Sequence, residues 1–232
     1  MRPDIVARVF HLKFASLLDD IMKQKIFGKA IAYVYTVEYQ KRGLPHVHLI
    51  VFLDRCNHLA TPEWVDSVIS SKLPDPVHDP QLFDLVRTHM IHGPCRPGQC
   101  LNERGQCSKG FPKPFPNETE ITGESYVKTR RRDNGRQIVF ADCSVDNTYV
   151  IAHSPYLLRK YRAHINVKCT LGFQAIKYIY IVCNASSYFS MFSNLPKSTF
   201  IKVLIVLCLR YTRMVWTRMN RTRYNRTLTH NT

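Results

Sequence analysis

Ala30–Tyr39 (AIAYVYTVEY) and His46–Leu53 (HVHLIVFL) decide the fold, because β-branched and aromatic residues dominate both stretches. The residues between them, Lys41–Pro45 (KRGLP), supply turn chemistry, so the sequence predicts a β-hairpin. Side chains alternate between the two faces of a strand. We therefore expect His46 and His48 to share one face and the intervening apolar side chains to point into the core.

The two histidines are candidate metal ligands. Two imidazoles on one strand face, beside a turn that solvent can reach, are able to bind one divalent ion. A third ligand is predicted on the neighbouring strand, where Glu38 is the first candidate and Gln40 the alternative. Such a site suits Mg²⁺ or Mn²⁺ holding a phosphate oxygen. A His-x-His pair also occurs by chance on half-exposed strands, so the pattern alone leaves both interpretations open.

Upstream of the hairpin, the sequence predicts one amphipathic helix that begins at Pro3 and runs to about Gln24, with Gly28 beyond its end. Its apolar stripe is predicted from residues at roughly helical spacing: Ile5, Val6, Val9, Leu12, Leu17 and Ile21.

Downstream, Thr61 and Asp79 each precede a proline, which predicts two helices of about ten residues. Residues 92–150 are rich in Gly, Pro and Cys and predict loops with short strands at best. Three further elements are predicted: a helix from Pro155, a short strand at 165–167 and the start of a helix at 173–180. The expected class is α/β (α+β), an antiparallel central sheet with flanking helices.

Positive charge is in excess, with 33 Lys and Arg against 17 Asp and Glu and a net charge of +16. This excess is typical of proteins that contact phosphate backbones, although it also suits an anionic membrane surface. Val203–Leu209 is the longest apolar stretch and is far below the ~20 residues that span a bilayer, so we expect no membrane partner. Eight cysteines without a secretory signal indicate a reducing compartment.

One cluster of cysteines has a candidate metal-binding spacing. It offers one imidazole and three thiols, enough for a tetrahedral Zn²⁺: His92, Cys95, Cys100 and Cys107. The surrounding Pro and Gly would let the loop wrap an ion. Because the spacing is irregular, free thiols in a loop remain the alternative.

A basic cluster follows at Arg130, Arg131 and Arg132, with Lys128 and Arg136 nearby. Such a cluster is able to follow a single-stranded nucleic-acid backbone. The general interpretation of a charge run, a solvated loop, also stands.

Five segments together carry a family resemblance. They are Arg2–Phe10 (RPDIVARVF), Val37–His48 (VEYQKRGLPHVH), His92–Cys95 (HGPC), Arg131–Arg136 (RRDNGR) and Pro155–Tyr161 (PYLLRKY). In this order they resemble the Helitron helicase-like (Rep) N-terminal domain. That domain is a member of the His–hydrophobic–His superfamily of rolling-circle initiator endonucleases.

The resemblance extends over roughly residues 2–180 and implies metal-dependent nicking and strand transfer of single-stranded DNA. It makes Tyr178 the nucleophile that would form a 5′-phosphotyrosine link, although a buried packing tyrosine is the alternative. Lys177 beside it, and Lys41 and Arg42 in the hairpin turn, would contact DNA.

The family pattern Tyr-x-x-Lys-Tyr-x-x-Lys breaks off after its first tyrosine, because Ile181, Val182 and Ala185 occupy the next expected positions. Residues 181–232 hold eight of the 33 basic residues and no acidic ones. The sequence therefore predicts a Rep domain at 1–180, truncated at both ends and with a Cys-rich and basic loop region at 92–150. The basic tail, 181–232, is predicted to be non-homologous and either disordered or frameshifted.

The sequence contains no Gly-x-x-x-x-Gly-Lys-Ser/Thr motif, so the helicase module that normally shares the family's chain is expected to be missing. The favoured hypothesis is a fragment of a Helitron Rep-helicase that acts on single-stranded transposon ends, in the nucleus. Two alternatives are an inactive single-stranded DNA-binding remnant and an unstable product of a degenerate reading frame.

Overall fold

The computed structural model describes residues 2–39, 44–54, 61–93, 95, 100–121, 126–140, 143–170, 189–192 and 201–208. Its elements are, in chain order, α1 (Pro3–Met22), β1 (Ala30–Tyr39), β2 (Pro45–Leu53), α2 (Pro62–Val68), α3 (Pro80–His89), β3 (Ile138–Phe140), β4 (Cys143–Val145), a 3₁₀ helix (Asn147–Tyr149), α4 (Pro155–Tyr161), β5 (His164–Thr170), β6 (Phe189–Phe192) and β7 (Ile201–Cys208). The predicted α+β class with an antiparallel central sheet is confirmed.

The central sheet has five strands in the order β5-β7-β2-β1-β6, and each neighbouring pair is antiparallel. Its middle is the predicted hairpin, in which the register runs from Tyr39 opposite Pro45 to Ala30 opposite Leu53. Strands β3 and β4 form a separate two-stranded sheet. The hairpin therefore sits at the centre of the fold, with further strands on both sides.

Two segments of the tail that was expected to be disordered or frameshifted are strands of the central sheet. β6 pairs with β1, and β7 lies between β2 and β5. The physical reason is composition: seven of the eight residues in β7 (IKVLIVLC) are apolar, and many are β-branched. Val203 and Ile205 are fully buried in the main core. The predicted boundary at residue 180 falls outside the described residues.

Helix α1 covers one side of the sheet, but its buried face differs from the predicted stripe. Ile5, Val9 and Leu12 are exposed. The buried face instead follows Val6, Phe10, Phe14, Leu17, Asp20 and Ile21. The prediction missed the two phenylalanines, which lie four residues apart and thus on one helical face. They are the large side chains that this face packs against the hairpin.

Helices α2 and α3 begin directly after the predicted capping residues, Thr61 and Asp79. Thr61 Oγ1 accepts a hydrogen bond from Trp64 N at 3.3 Å, and Asp79 Oδ1 accepts one from Leu82 N at 3.1 Å. α2 has seven residues and α3 ten. β5 extends beyond the short strand predicted at 165–167.

Helices α1 and α4 are joined by a polar contact in the core. The Tyr161 hydroxyl donates to Asp20 Oδ2 at 2.6 Å and lies 3.1 Å from Ser16 Oγ. Burial, then the hydrogen bond to Asp20, raises the pKa of Tyr161 to about 12. This phenol is therefore a structural group that stays protonated. Among the described residues no helix is both long and apolar enough to cross a membrane.

Candidate metal centres

The first candidate centre lies at the turn end of the hairpin. In the β1–β2 register Glu38 is opposite His46, and Thr36 is opposite His48. Directly opposed residues of an antiparallel pair share a face, so the three candidate ligands lie together on one side of the sheet. The intervening residues of β2, Val47 and Leu49, are buried in the main core on the other side.

Glu38 and His48 are in contact, with the carboxylate Oε2 at 3.3 Å from His48 Nε2. The His48 side chain is only 7% exposed, whereas the Glu38 side chain is 38% exposed. Burial lowers the pKa of His48, although the hydrogen bond and the charge of Glu38 oppose that shift. The imidazole is therefore neutral near pH 7, which is the form that binds a metal ion.

His46 is oriented differently. Its ring centroid lies 6.4 Å from that of His48, and the two rings are nearly perpendicular at 87°. Among the residues that the structure describes, Glu38, His46 and His48 do not form a group whose donor atoms are already gathered around one point. The donor set fits a divalent ion, because one carboxylate and two imidazoles share a face.

The second candidate centre is the Cys-rich loop. Its four predicted ligands have donor atoms that all lie within 4.8 Å of one another: His92, Cys95, Cys100 and Cys107. His92 Nε2 lies 3.2 Å from Cys107 Sγ and 3.4 Å from Cys95 Sγ. A tetrahedral Zn²⁺ with ordinary bond lengths places such atoms about 3.6 Å apart. The residues therefore fit zinc closely.

A tight hairpin turn brings two of the thiols together. Asn102 Oδ1 accepts hydrogen bonds from the backbone N–H groups of Arg104 and Gln106, at 3.0 and 2.9 Å. Ser108 N then donates to the Cys100 carbonyl at 2.7 Å. These bonds place Cys100 beside Cys107, although six residues separate them in the sequence.

A second turn surrounds Cys107. Lys109 N–H donates to its Sγ at 3.4 Å, and Gly110 N–H donates to its carbonyl at 2.8 Å. Gly110 has a φ of 66°, a left-handed conformation that favours glycine. A backbone N–H directed at sulfur stabilises a thiolate, which is the form that binds zinc.

The pKa values of two of the thiols are shifted in opposite directions. Burial, followed by contacts with Cys100 and Cys107, raises the pKa of Cys95 to about 12. The pKa of Cys107 is lowered: burial opposes this shift, but the N–H groups of Phe111 and Lys109 outweigh it. Without a cation, at least one thiol therefore keeps its proton, and binding of Zn²⁺ would displace it.

Residues 1–51 match the family model described as the Helitron helicase-like domain at the N-terminus. Over these residues the chain is similar to that domain. The resemblance predicted from Arg2–Phe10 and Val37–His48 is thereby confirmed over 51 of the 232 residues. No curated protein matches the chain.

The Helitron-like segment contains Glu38, His46 and His48 but ends before the Cys-rich loop. Several predicted site residues lie outside the residues that the structure describes: Gln40, Lys41, Arg42, Lys177 and Tyr178. Their predicted roles stay predictions.

The predicted basic cluster is divided by the fold. Arg131 is buried, and its Nη1 donates to three backbone carbonyls: those of Ser71, Asn147 and Val150. Burial lowers the pKa of Arg131 to about 10. The prediction of Arg131 as a DNA contact is therefore corrected to a structural role, because its guanidinium ties three segments together.

The neighbouring arginines point elsewhere. Arg130 Nε forms an ion pair with Asp66 Oδ2 at 3.1 Å, and Arg132 Nε donates to the Asn117 carbonyl at 2.8 Å. Three other cations were not predicted as site residues but gather around the Cys-rich loop: Lys109, Lys113 and Lys168. A sequence signal is present for the first two only, in Lys109–Phe115 (KGFPKPF), where cations alternate with aromatic residues.

Proposed function

We propose that the chain is related to Helitron Rep-helicases and cleaves single-stranded DNA by a metal-assisted transesterification. Glu38, His46 and His48 would hold Mg²⁺ or Mn²⁺, and Tyr178 would be the nucleophile. The observation that carries this proposal is the 3.3 Å contact between Glu38 and His48 on the face that His46 shares, inside the Helitron-like segment.

The reaction balances without a further reagent. The phenolate oxygen of Tyr178 would form a bond to phosphorus, the bond from phosphorus to O3′ would break, and the released O3′ would take up a proton. The divalent ion would polarise the scissile phosphate and stabilise the charge that develops on it. Glu38, which is more exposed than His48, would help admit the ion from solvent, whereas the buried His48 would fix its position.

Two further parts of the proposal follow from the family type. The substrate is taken to be the single-stranded end of a transposon, and the site of action is the nucleus, where chromosomal DNA lies. Strand separation would require a helicase module, and the sequence given contains no Gly-x-x-x-x-Gly-Lys-Ser/Thr motif. Neither part depends on the geometry of the hairpin.

The test is formation of a covalent adduct. The purified chain is incubated with a fluorescent single-stranded oligonucleotide and Mn²⁺, and adducts are resolved on a denaturing gel. An adduct is expected with the wild-type chain and is expected to disappear in Tyr178→Phe and in His48→Ala. His78→Ala is the matched control, because this histidine side chain is 85% exposed and remote in sequence from the hairpin.

An inactive binding remnant is the second candidate, favoured by the break in the tyrosine pattern after residue 180. It predicts oligonucleotide binding without adduct at any Mn²⁺ concentration. An adduct that persists in Tyr178→Phe would instead assign the nucleophile to another residue and overturn this part of the proposal.

A further inference from the structure

A cavity of about 1010 Å³ lies between the Cys-rich loop and strand β5. One wall is the loop segment 109–116, and the floor includes His164, Asn166 and Lys168 of β5. We call this space the basic cleft. It borders the Cys-rich centre, because His92 and Cys100 also line it.

Three lysines contribute positive charge to the basic cleft: Lys109, Lys113 and Lys168. Lys113 Nζ lies 5.1 Å from the centre of the Phe111 ring and donates to the Lys109 carbonyl at 3.1 Å. Lys168 Nζ lies 5.3 Å from the centre of the Tyr126 ring. Each of these two ammonium groups thus sits beside an aromatic ring, an arrangement suited to stacking a base and holding its phosphate.

The cations crowd one another. Burial, then the charge of Arg131, lowers the pKa of Lys113. Burial, then the charges of Lys113 and Lys109, lowers the pKa of Lys168. Among the lining residues that the structure describes, the one acid is Glu120, and it is paired with Lys128 at 3.0 Å. The local excess of positive charge therefore favours binding of an external anion.

The side-chain amide of Asn166 adds a hydrogen-bonding group to the floor of the basic cleft. Asn166 Oδ1 is buried and has no hydrogen-bond partner among the residues that the structure describes. A buried amide oxygen without a partner is costly, and a ligand or water that donates to it removes that cost. After a rotation of the amide about its χ2 bond, the NH₂ group of Asn166 can donate to a phosphate oxygen instead.

The basic cleft opens onto the face that carries the hairpin histidines. Cys208 of β7 is paired with His46 on one side and with His164 on the other, and Val206 is paired with His48 and Asn166. Two strand spacings separate β2 from β5, about 10 Å. A strand of nucleic acid bound in the basic cleft can therefore continue to the hairpin.

The outer wall of the basic cleft is built on the Cys-rich centre. The Phe111 ring stacks on the His92 ring, with centroids 4.2 Å apart and planes at 17°. Lys109 follows Cys107 by two residues, and its N–H is bonded to that sulfur. Fixing His92 and Cys107 on one ion therefore fixes the positions of Phe111 and Lys109.

We propose that the basic cleft binds the backbone of single-stranded DNA through Lys109, Lys113 and Lys168, and that Zn²⁺ at the Cys-rich centre holds the wall of this cleft in place. DNA binding is then zinc-dependent and independent of Mg²⁺ or Mn²⁺. The choice of single-stranded DNA rests on the proposed function, whereas the zinc dependence rests on the geometry of the loop.

The test is fluorescence anisotropy of a labelled oligothymidylate titrated with the full chain, at several salt concentrations and without Mg²⁺ or Mn²⁺. Each lost phosphate contact reduces the salt slope of single-strand binding by about 0.7. Lys113→Gln and Lys168→Met are each expected to lower the slope by about that amount. Lys23→Ala is the matched control, because this side chain is 71% exposed and directly follows α1.

The zinc arm uses the wild-type chain after chelation and after restoration of Zn²⁺, with bound metal measured by mass spectrometry. Loss of a preorganised wall is expected to weaken binding about tenfold. Cys107→Ser should reproduce the chelated state, and Cys143→Ser should bind like the wild type.

Unchanged affinity in Cys107→Ser and in the chelated wild type would overturn the zinc dependence. Unchanged slopes in both lysine variants would overturn the basic cleft as the DNA site. The metal requirement separates this proposal from the nicking reaction, since anisotropy is measured without Mg²⁺ or Mn²⁺, whereas the adduct requires Mn²⁺. Normal anisotropy without any adduct would count against the nicking reaction alone.

Discussion

Ile205 provides a direct test of the tail's place in the fold. This side chain is fully buried in the main core, and its register partners are Leu49 on β2 and Val167 on β5. Replacing a buried isoleucine by alanine removes three carbon atoms and leaves a cavity, at a cost of about 2–5 kcal/mol. Domains of ordinary stability unfold at a cost of about 5–15 kcal/mol, so Ile205→Ala would remove a large share of the total.

Urea denaturation followed by far-UV circular dichroism measures this effect. Ile205→Ala should shift the midpoint by about 1 M, and Ile205→Val should cost only about 0.5–1.5 kcal/mol. Val77→Ala is the control, because Val77 is 82% exposed and its truncation should change stability by less than about 0.5 kcal/mol.

If Ile205→Ala unfolds at the same urea concentration as Val77→Ala, β7 is not part of the core. The tail would then be the disordered extension that its charge composition predicts. A chain with no cooperative transition at all would instead support the unstable product of a degenerate reading frame, and it would remove the basis for both metal centres.

Three further predictions concern groups in the core and the loop. Burial lowers the pKa of His153 to about 4. Between this value and about 6.5, the unfolded chain therefore binds a proton that the folded chain does not, and the free energy of unfolding should fall by roughly 3 kcal/mol as the pH drops through this window. The same pH dependence of stability in His153→Met would contradict this prediction. Arg131→Met removes the donor that three backbone carbonyls share, and it should lower the free energy of unfolding by about 2–4 kcal/mol. Thermal denaturation measures this effect, and an unchanged melting temperature would refute the structural role. Zinc at a thousandfold excess over its dissociation constant should stabilise the wild type by about 4 kcal/mol. Cys107→Ser should gain much less, and an equal gain would exclude the Cys-rich centre.

The hairpin could be predicted because its information is local. Alternating β-branched and aromatic residues predicted the strands, and the turn-forming residue types of KRGLP in the sequence predicted a short connection between them. Glu38 lies opposite His46 in the register of this hairpin. The prolines after Thr61 and Asp79 were equally local signals, since a cap acts within one helical turn.

The buried face of α1 was harder to predict because helical periodicity alone does not choose among several apolar stripes. Phe10 and Phe14 are buried since the hairpin offers them a surface, with Tyr35 only 4.8 Å from Phe14 between ring centroids. That surface is known only when the sheet is known. The stripe through Leu12, by contrast, faces solvent.

The Cys-rich centre was predictable in its members but not in its geometry. The residue types identify His92 and Cys107 as ligands, yet the turn at Asn102 decides whether the thiols meet. The basic cleft was not predicted because it is assembled from distant segments: Lys113 and Lys168 are 55 positions apart in the sequence.

Strand β7 connects these separate findings. β2 carries His46 and His48, and β5 carries Asn166 and Lys168. Among the strands that the structure describes, β7 alone pairs with both. The hairpin and the basic cleft therefore share one continuous face because an apolar segment of the acid-free tail fills the gap between them. Its β-propensity and burial are enough to place it there, whatever the origin of the tail sequence. Loss of β7 would accordingly separate DNA binding in the basic cleft from cleavage at the hairpin, even if each part kept its own metal ion.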